Sequence, residues 1–551
     1  MRPIIHYCQL VIRYSPFTIK TMRLPLFLAA LLLLSGLACA TPDADDQTAE
    51  RPNVVIILVD DMGYSDIGAY GGEIATPNLD HLAENGLRFR HFYNTGRCCP
   101  TRAALLTGLY PHQAGMGRMV SSLGSDPTLG PYQGFLNDQS VTLAELLGGA
   151  GYRTYMSGKW HVGEKPEHWP RRRGFDRYFG LISGASSYYE VIKDQPRVRQ
   201  MVLDDERWEP PAEGFYMTDA FSERAVEFLQ DHQATHAETP FFLYLAYTAP
   251  HWPLHALPED IVKYRDRYTV GWDSLRLERH QRMLEMGVID ERFALSPRPA
   301  SIPAWEDADN KDDWALRMAV YAAMIDRVDQ GIGDVLTTLE TMDALDNTLV
   351  LFLSDNGGCA ESIEGRQLHN PEAPIGARGS YVAYKEPWGN ASNTPFRLYK
   401  QWVHEGGIAT PLIAHWPQGI AQPGRILDDV GHVIDLMTTV GEVAGVAYPD
   451  SVEGRPLIPL QGKSMAPLFA NTQPLDEDRT LFWEHIGNRA VRQGNWKLVW
   501  DRRLEVWELY DLDADPTELH NLAAERPEEA QRLQALWDAW AEDVGVFDRS
   551  P

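Results

Sequence analysis

Cysteine is scarce in this chain, with five in 551 residues. Two of the five precede position 40 in a segment that reads as cleaved, which leaves Cys98, Cys99 and Cys359. An odd count of three excludes a disulfide framework and leaves at least one thiol needing another explanation. Basic residues are also short: 50 Lys and Arg face 77 Asp and Glu, for a net charge of −27. An acidic surface of that size excludes nucleic acid and an anionic membrane face as partners. Any anionic ligand must therefore meet positive charge that is local. Internal repeats and low-complexity tracts are absent. Long apolar runs are absent too, apart from one near the N-terminus.

That run, "MRLPLFLAALLLLSGLACA" from Met22, has a basic start at Arg23 and a small-x-small end at Ala38-Cys39-Ala40. It is too short to span a bilayer comfortably and reads as a secretory signal. Residues 1–40 are expected to be the signal peptide, with a start at Met1 or Met22, and 41–50 a polar linker. The reading is an exported chain, periplasmic or secreted. Cys39 as a lipidated anchor is the alternative, although Gly36 stands where leucine is usual for that signal.

What is abundant is core material, with 44% hydrophobic residues and 16 tryptophans. Val54–Val59 is a short continuous apolar run that suits a strand buried on both faces, and it stops at Asp60-Asp61. Leu349–Leu353 repeats the pattern and stops at Asp355-Asn356. "FFLYLAYTAP" leads to His251, and "GYRTYMSG" leads to Lys159 and His161. Helical stretches such as "PNLDHLAENGLRF" and "LRMAVYAAMIDRVDQGIGDVLTTLE" lie between them. Alternating strands and helices predict an α/β fold, a large, mostly parallel mixed sheet flanked by helices, with ligands at the carboxyl ends of the strands.

Each strand end alone also reads as a turn or a helix N-cap. Taken together, Asp60, Asp61, Asp355 and Asn356 offer only oxygen donors, three of them carboxylates. Such a set suits a hard cation, Ca²⁺ or Mg²⁺, and suits zinc poorly. Carboxylates so crowded would repel one another without a cation or protons between them.

The stretch Cys98-Cys99-Pro100-Thr101-Arg102, followed after three residues by Leu106-Thr107-Gly108, resembles the sulfatase signature Cys-x-Pro-Ser/Thr-Arg-x-x-x-Leu-Thr-Gly. "GYRTYMSGKWH" resembles the second signature of that family, and "VDDMGYSDIG", "TAPHWP", "SDNGG" and "NTPFRLYKQWVHEGG" follow in family order. The resemblance covers most of the chain from about residue 50 and is to the bacterial arylsulfatase type, in the alkaline phosphatase superfamily. It implies that Cys98, the cysteine with one residue before Pro100, is converted to formylglycine by dedicated generating machinery. It also implies a hydrated aldehyde whose one hydroxyl attacks sulfur while the other later expels sulfate. By position, Asp60, Asp61, Asp355, Asn356 and the converted Cys98 would hold the cation, Ca²⁺ ahead of Mg²⁺. Asp355 would also accept a proton, and Arg102 would orient the diol. Lys159, Lys400 and His251 would surround the sulfate, with His251 the acid for the departing alcohol and His161 the base in elimination. Cys99 reads as a small buried thiol, with pairing to Cys359 as the alternative.

After about residue 465 the pattern alternates polar and apolar residues, then turns helical at "RPEEAQRLQALWDAWAEDV". The expected organisation is a catalytic domain over 51–465 and a smaller C-terminal domain over 466–551, with an antiparallel sheet and a helix. The substrate class is a sulfate ester, aryl or carbohydrate. A phosphonate or phosphate ester hydrolase with the same nucleophile, or a catalytically silent binder of sulfated glycans, are the alternatives. Residues 185–215 and 255–310 are the insertions expected to shape specificity.

Overall fold

The computed structural model describes residues 51–120, 126–193, 199–365 and 368–547. The expected signal peptide, the linker and Cys39 lie outside the described residues.

Ten strands form one sheet. They are β1 (Asn53–Asp60), β2 (Leu87–Tyr93), β3 (Arg153–Gly158), β4 (Arg177–Leu181), β5 (Met201–Leu203), β6 (Glu206–Trp208), β7 (Phe241–Pro250), β8 (Thr348–Ser354), β9 (Leu412–His415) and β10 (Arg425–His432). Their order is β10-β2-β9-β8-β1-β7-β3-β4-β5-β6. The four central strands β8, β1, β7 and β3 are mutually parallel, whereas β9, β5 and β6 pair antiparallel with their neighbours. Every residue of β7 and β8 is buried, as expected for strands covered on both faces. The helices Met217–His236 and Lys311–Thr341 pack on each other and on β7.

The mixed α/β sheet matches the expectation, with one local difference. The helix expected through "PNLDHLAENGLRF" ends at Glu84, and Leu87 already belongs to β2. Asn85-Gly86 breaks it, because the chain there presses on β9: a Cβ on Gly86 would lie 2.3 Å from the Ala414 carbonyl oxygen. The stretch 255–310, expected to shape specificity, contains the helices Pro258–Tyr264 and Gly271–Glu285. Arg279 of the second helix is fully buried and bridges Asp66 at 2.7 Å and Glu73 at 2.8 Å. Much of this segment therefore braces the core.

After a short ribbon, β11 (Ser451–Val452) with β12 (Arg455–Pro456), comes a four-stranded antiparallel sheet. Its strands are β13 (Thr480–His485), β14 (Asn488–Gln493), β15 (Trp496–Asp501) and β16 (Val506–Asp511). The helix Pro527–Val544 covers it, with Trp540 stacked on Phe482 at 5.1 Å. This sheet is tied to the large one by buried polar bonds. Trp483 donates its indole N–H to the Asn94 carbonyl at 2.8 Å, and Lys497 is fully buried between Glu405 and Glu518 at 2.6 and 2.8 Å.

Candidate active site

The sheet order explains how residues three hundred positions apart meet. β8, β1, β7 and β3 are consecutive neighbours, so Asp355, Asp60-Asp61, His251 and Lys159 leave the same edge side by side. In the register, Val59 faces Ser354 and Asp60 faces Pro250. Beyond β3 the chain must turn sharply against β7. Gly158 has φ +125°, and a Cβ there would lie 1.9 Å from the Ala246 carbonyl oxygen. That oxygen accepts the Lys159 amide at 2.7 Å. Asp61 (φ 71°) and His161 (φ 58°) hold left-handed backbone conformations. Non-glycine residues in that region cluster where a site over-determines the geometry.

The helix Cys98–Thr107 supplies the remaining groups, and all ten of its residues are buried. Thr101 anchors its entry, accepting the Thr95 amide at 3.1 Å. Arg102 reaches across to Asp355, donating Nη2–H and Nε–H to the same carboxylate oxygen at 2.8 and 3.0 Å. It gives a third bond to the Lys159 carbonyl at 2.9 Å. Arg102 therefore orders the carboxylate and the lysine backbone at once.

The carboxylates divide their partners. Lys159 and Asp60 form a fully buried ion pair. Lys400 lies 2.7 and 2.8 Å from the two oxygens of Asp61. Asn356 donates its amide N–H to Asp61 at 2.7 Å, and His251 Nε2 stands 3.5 Å from Asp61. Burial alone would raise the Asp60 carboxyl, but Lys159, His251 and Arg102 outweigh it and hold it below the usual range. Burial, with Asp60 beside it, pushes Asp355 well above that range despite Arg102. A cation here would relieve that repulsion.

The site fits a hard cation on its own evidence. Asp60 Oδ1 and Asn356 Oδ1 are buried without a hydrogen-bond partner among the described residues. Asp60, Asp61 and His251 place ligand atoms within 4.8 Å of one another. Orphaned buried oxygens are costly unless something binds them.

Cys98 is 2% exposed and His161 is 2% exposed, so the two form a closed polar floor. Cys98 lies against Cys99 and His161, whose hydrogen bonds, with the charge of Lys159, hold its thiol well below the ordinary value against burial. All three described cysteines are free thiols, so Cys99 and Cys359 are unpaired with each other. A cavity of about 570 Å³ between Asp138–Ala150 and Val446–Leu457 contains none of these residues.

Two features escaped the sequence reading. Glu361 accepts bonds from the Trp252 indole N–H and from Gln401, both at 2.8 Å, and pairs with Arg97 at 3.0 Å. His485, at the end of β13, is buried near Arg97 and Cys98, and burial with Arg97 lowers it to about 3. Neither carries a local motif. Each is brought in by packing from another part of the chain.

Comparison with known proteins agrees with this geometry. The Sulfatase family profile matches residues 52–446, and the profile "N-sulphoglucosamine sulphohydrolase, C-terminal" matches 396–541. An uncharacterised sulfatase of Schizosaccharomyces pombe is 34% identical over 531 residues, covering 90% of this chain and 95% of its own. The arylsulfatase of Klebsiella aerogenes is 36% identical, covering 76% of this chain and 92% of its own. The crystal structure of Ps i-CgsB superposes with a TM-score of 0.68 at 26% identity, over 90% of this chain and 93% of its own. The chain belongs to the sulfatase family of sulfuric ester hydrolases.

Proposed function

We propose that this chain hydrolyses sulfate monoesters through a formylglycine made from Cys98, with Ca²⁺ held by Asp60, Asp61, Asp355, Asn356 and the converted residue. The observation that carries the reading is the meeting of four strand ends and the Cys98 helix around buried, unpartnered oxygens. When present, the hydrated aldehyde supplies a hydroxyl nucleophile with its own exit route, and the cation supplies Lewis acidity toward a sulfate oxygen.

The chain's own residues do the rest. Lys159, Lys400 and His251 present positive charge and N–H donors to the sulfate, in a chain whose net charge is −27. The same lysines pair with Asp60 and Asp61. Arg102 fixes Asp355, which takes the proton of the attacking hydroxyl. His251 Nδ1 donates to the Trp252 carbonyl at 2.6 Å, which leaves Nε2 facing the site. Burial lowers the ring's pKa and Asp61 opposes that shift; when Nε2 is protonated as well, the imidazolium passes that second proton to the departing alcohol oxygen. His161, beside residue 98, takes a proton when sulfate leaves.

The substrates proposed are aryl sulfates and sulfated carbohydrates. Support comes from the Klebsiella arylsulfatase, from a human relative named N-acetylgalactosamine-6-sulfatase at 29% identity over 472 residues, and from Ps i-CgsB crystallised with k-i-k-neocarrahexaose. We also read the chain as exported, as its N-terminal segment suggests, and residues 466–551 as closing one side of the cleft. The test compares rates on matched aryl sulfate, aryl phosphate and aryl phosphonate esters. Preference for sulfate is expected, and a faster phosphonate reaction would overturn it.

A further inference from the structure

We propose that the chain as encoded, with Cys98 still a thiol, carries a soft-metal site in which Cys98 Sγ, Cys99 Sγ and a ring nitrogen of His161 take one thiophilic cation such as Zn²⁺. The donor atoms of these three buried residues already lie within 4.8 Å of one another. In a tetrahedral site with Zn–S near 2.3 Å, two sulfurs stand about 3.7 Å apart. The contraction needed is therefore about 1 Å or less, within reach of small side-chain rotations.

Two observations make the cluster more than a chance grouping. The imidazole is held in place: His161 has φ 58°, its amide bonds to the Ile182 carbonyl at 3.1 Å, and Gly184 presses on the ring. A Cβ on Gly184 would lie 2.3 Å from His161 Cε1. The second observation is Cys99. The proposed nucleophile role uses only Cys98, yet Cys99 follows it on the first turn of the same helix, fully buried, with its sulfur within 4.8 Å of that of Cys98.

Charge supports the assignment. Two thiolates and one neutral imidazole cancel a dication, so the loaded site buries no net charge. The donor set is sulfur and nitrogen, whereas the neighbouring hard-cation cluster of Asp60, Asp61, Asp355 and Asn356 offers oxygen. Ligand softness separates the two. Binding forms metal–thiolate bonds and releases the thiol protons to solvent. Conversion of Cys98 to formylglycine removes one sulfur ligand, so soft metal and nucleophile exclude each other, and metal occupancy marks unconverted chains. The site itself does not depend on the proposed function; only this exclusion does.

The test uses full-length chain made in a host without converting activity, reduced and titrated with Cd²⁺ as a spectroscopic stand-in and with Zn²⁺ against a chromophoric chelator. One equivalent of Cd²⁺ with thiolate charge-transfer absorbance is expected, unaffected by excess Ca²⁺. It should be lost in Cys98→Ser and Cys99→Ser, and weakened in His161→Gln. Cys359→Ser should retain it. Chain carrying formylglycine should show no such band. Absence of the band in the unconverted wild type would overturn the site, whether or not a variant folds, and so would its full retention in Cys99→Ser. A band with no sulfatase activity in converted chain would leave the site standing and remove the functional reading.

Discussion

Glu361 accepts the Trp252 indole N–H at 2.8 Å, and the Trp252 carbonyl accepts the proton on His251 Nδ1 at 2.6 Å. The Trp252 ring also lies 4.4 Å, centroid to centroid, from the His251 ring. A carboxylate without a motif of its own thus holds the residue whose carbonyl keeps a proton on His251 Nδ1 and turns Nε2 toward the site. Burial opposes ionisation of Glu361, but Lys400, Arg97, His251 and the Trp252 bond hold it well below the carboxylate range.

Glu361→Gln should therefore act through positioning. The expected outcome is a fall in kcat of about 10- to 100-fold, the scale on which a misplaced group costs rate, with KM changed far less. Steady-state kinetics with intact thermal unfolding checks it. Unchanged kcat would show that Trp252 holds His251 without help.

His251→Ala should discriminate among leaving groups. A general acid contributes about 10² to 10⁴ in rate when the leaving oxygen needs a proton. Sugar and alkyl sulfates should lose that much, while an activated nitrophenyl sulfate should lose much less. Equal losses on both substrates would assign His251 to sulfate binding instead.

Cation binding should be visible without turnover. Ca²⁺ added to chelator-treated protein should raise the Tm, since a ligand that binds only the folded state at 100 times its Kd adds about 2.7 kcal/mol. Mg²⁺ should raise it less. Asp60→Asn with Asp61→Asn should abolish the response. A Tm indifferent to both ions would remove the hard-cation site.

Acid stability should carry the mark of Glu508. It sits at about 2 against an ordinary 4.5: burial would raise it, but His404, Arg397 and Tyr510 outweigh burial. His404 donates Nε2–H to it at 2.8 Å. With a depressed folded value, the folded chain binds fewer protons than the unfolded chain in this window. Its contribution is complete above pH 4.5 and is lost as pH falls toward 2. Glu508→Gln should flatten the fall of denaturant-measured stability over that range. A slope equal to wild type would place the acid sensitivity elsewhere.

Much of the site was legible because it rests on strand ends. β1 and β8 are apolar runs that stop at Asp60-Asp61 and Asp355-Asn356, and a parallel sheet makes such stops meet. What could not be read was the pairing of charges across that edge. Lys159 with Asp60, and Lys400 with Asp61, follow from sheet order and a loop return, which leave no periodic trace. The same holds for His485, delivered to Cys98 by the packing of the second sheet. The burial of Arg279 within the 255–310 insertion was equally invisible, because Arg279 and its neighbours read as a charged helix face. Buried partners at Asp66 and Glu73, two hundred residues earlier, draw Arg279 inward.

The central claim is that Cys98 is the precursor of the nucleophile. The most direct test is the mass of the tryptic peptide Cys98–Arg102 from active protein made in a converting host. The account predicts a peptide lighter by exchange of sulfur for oxygen and loss of two hydrogens, in proportion to specific activity on an aryl sulfate. Full activity with an unmodified Cys98 would contradict it.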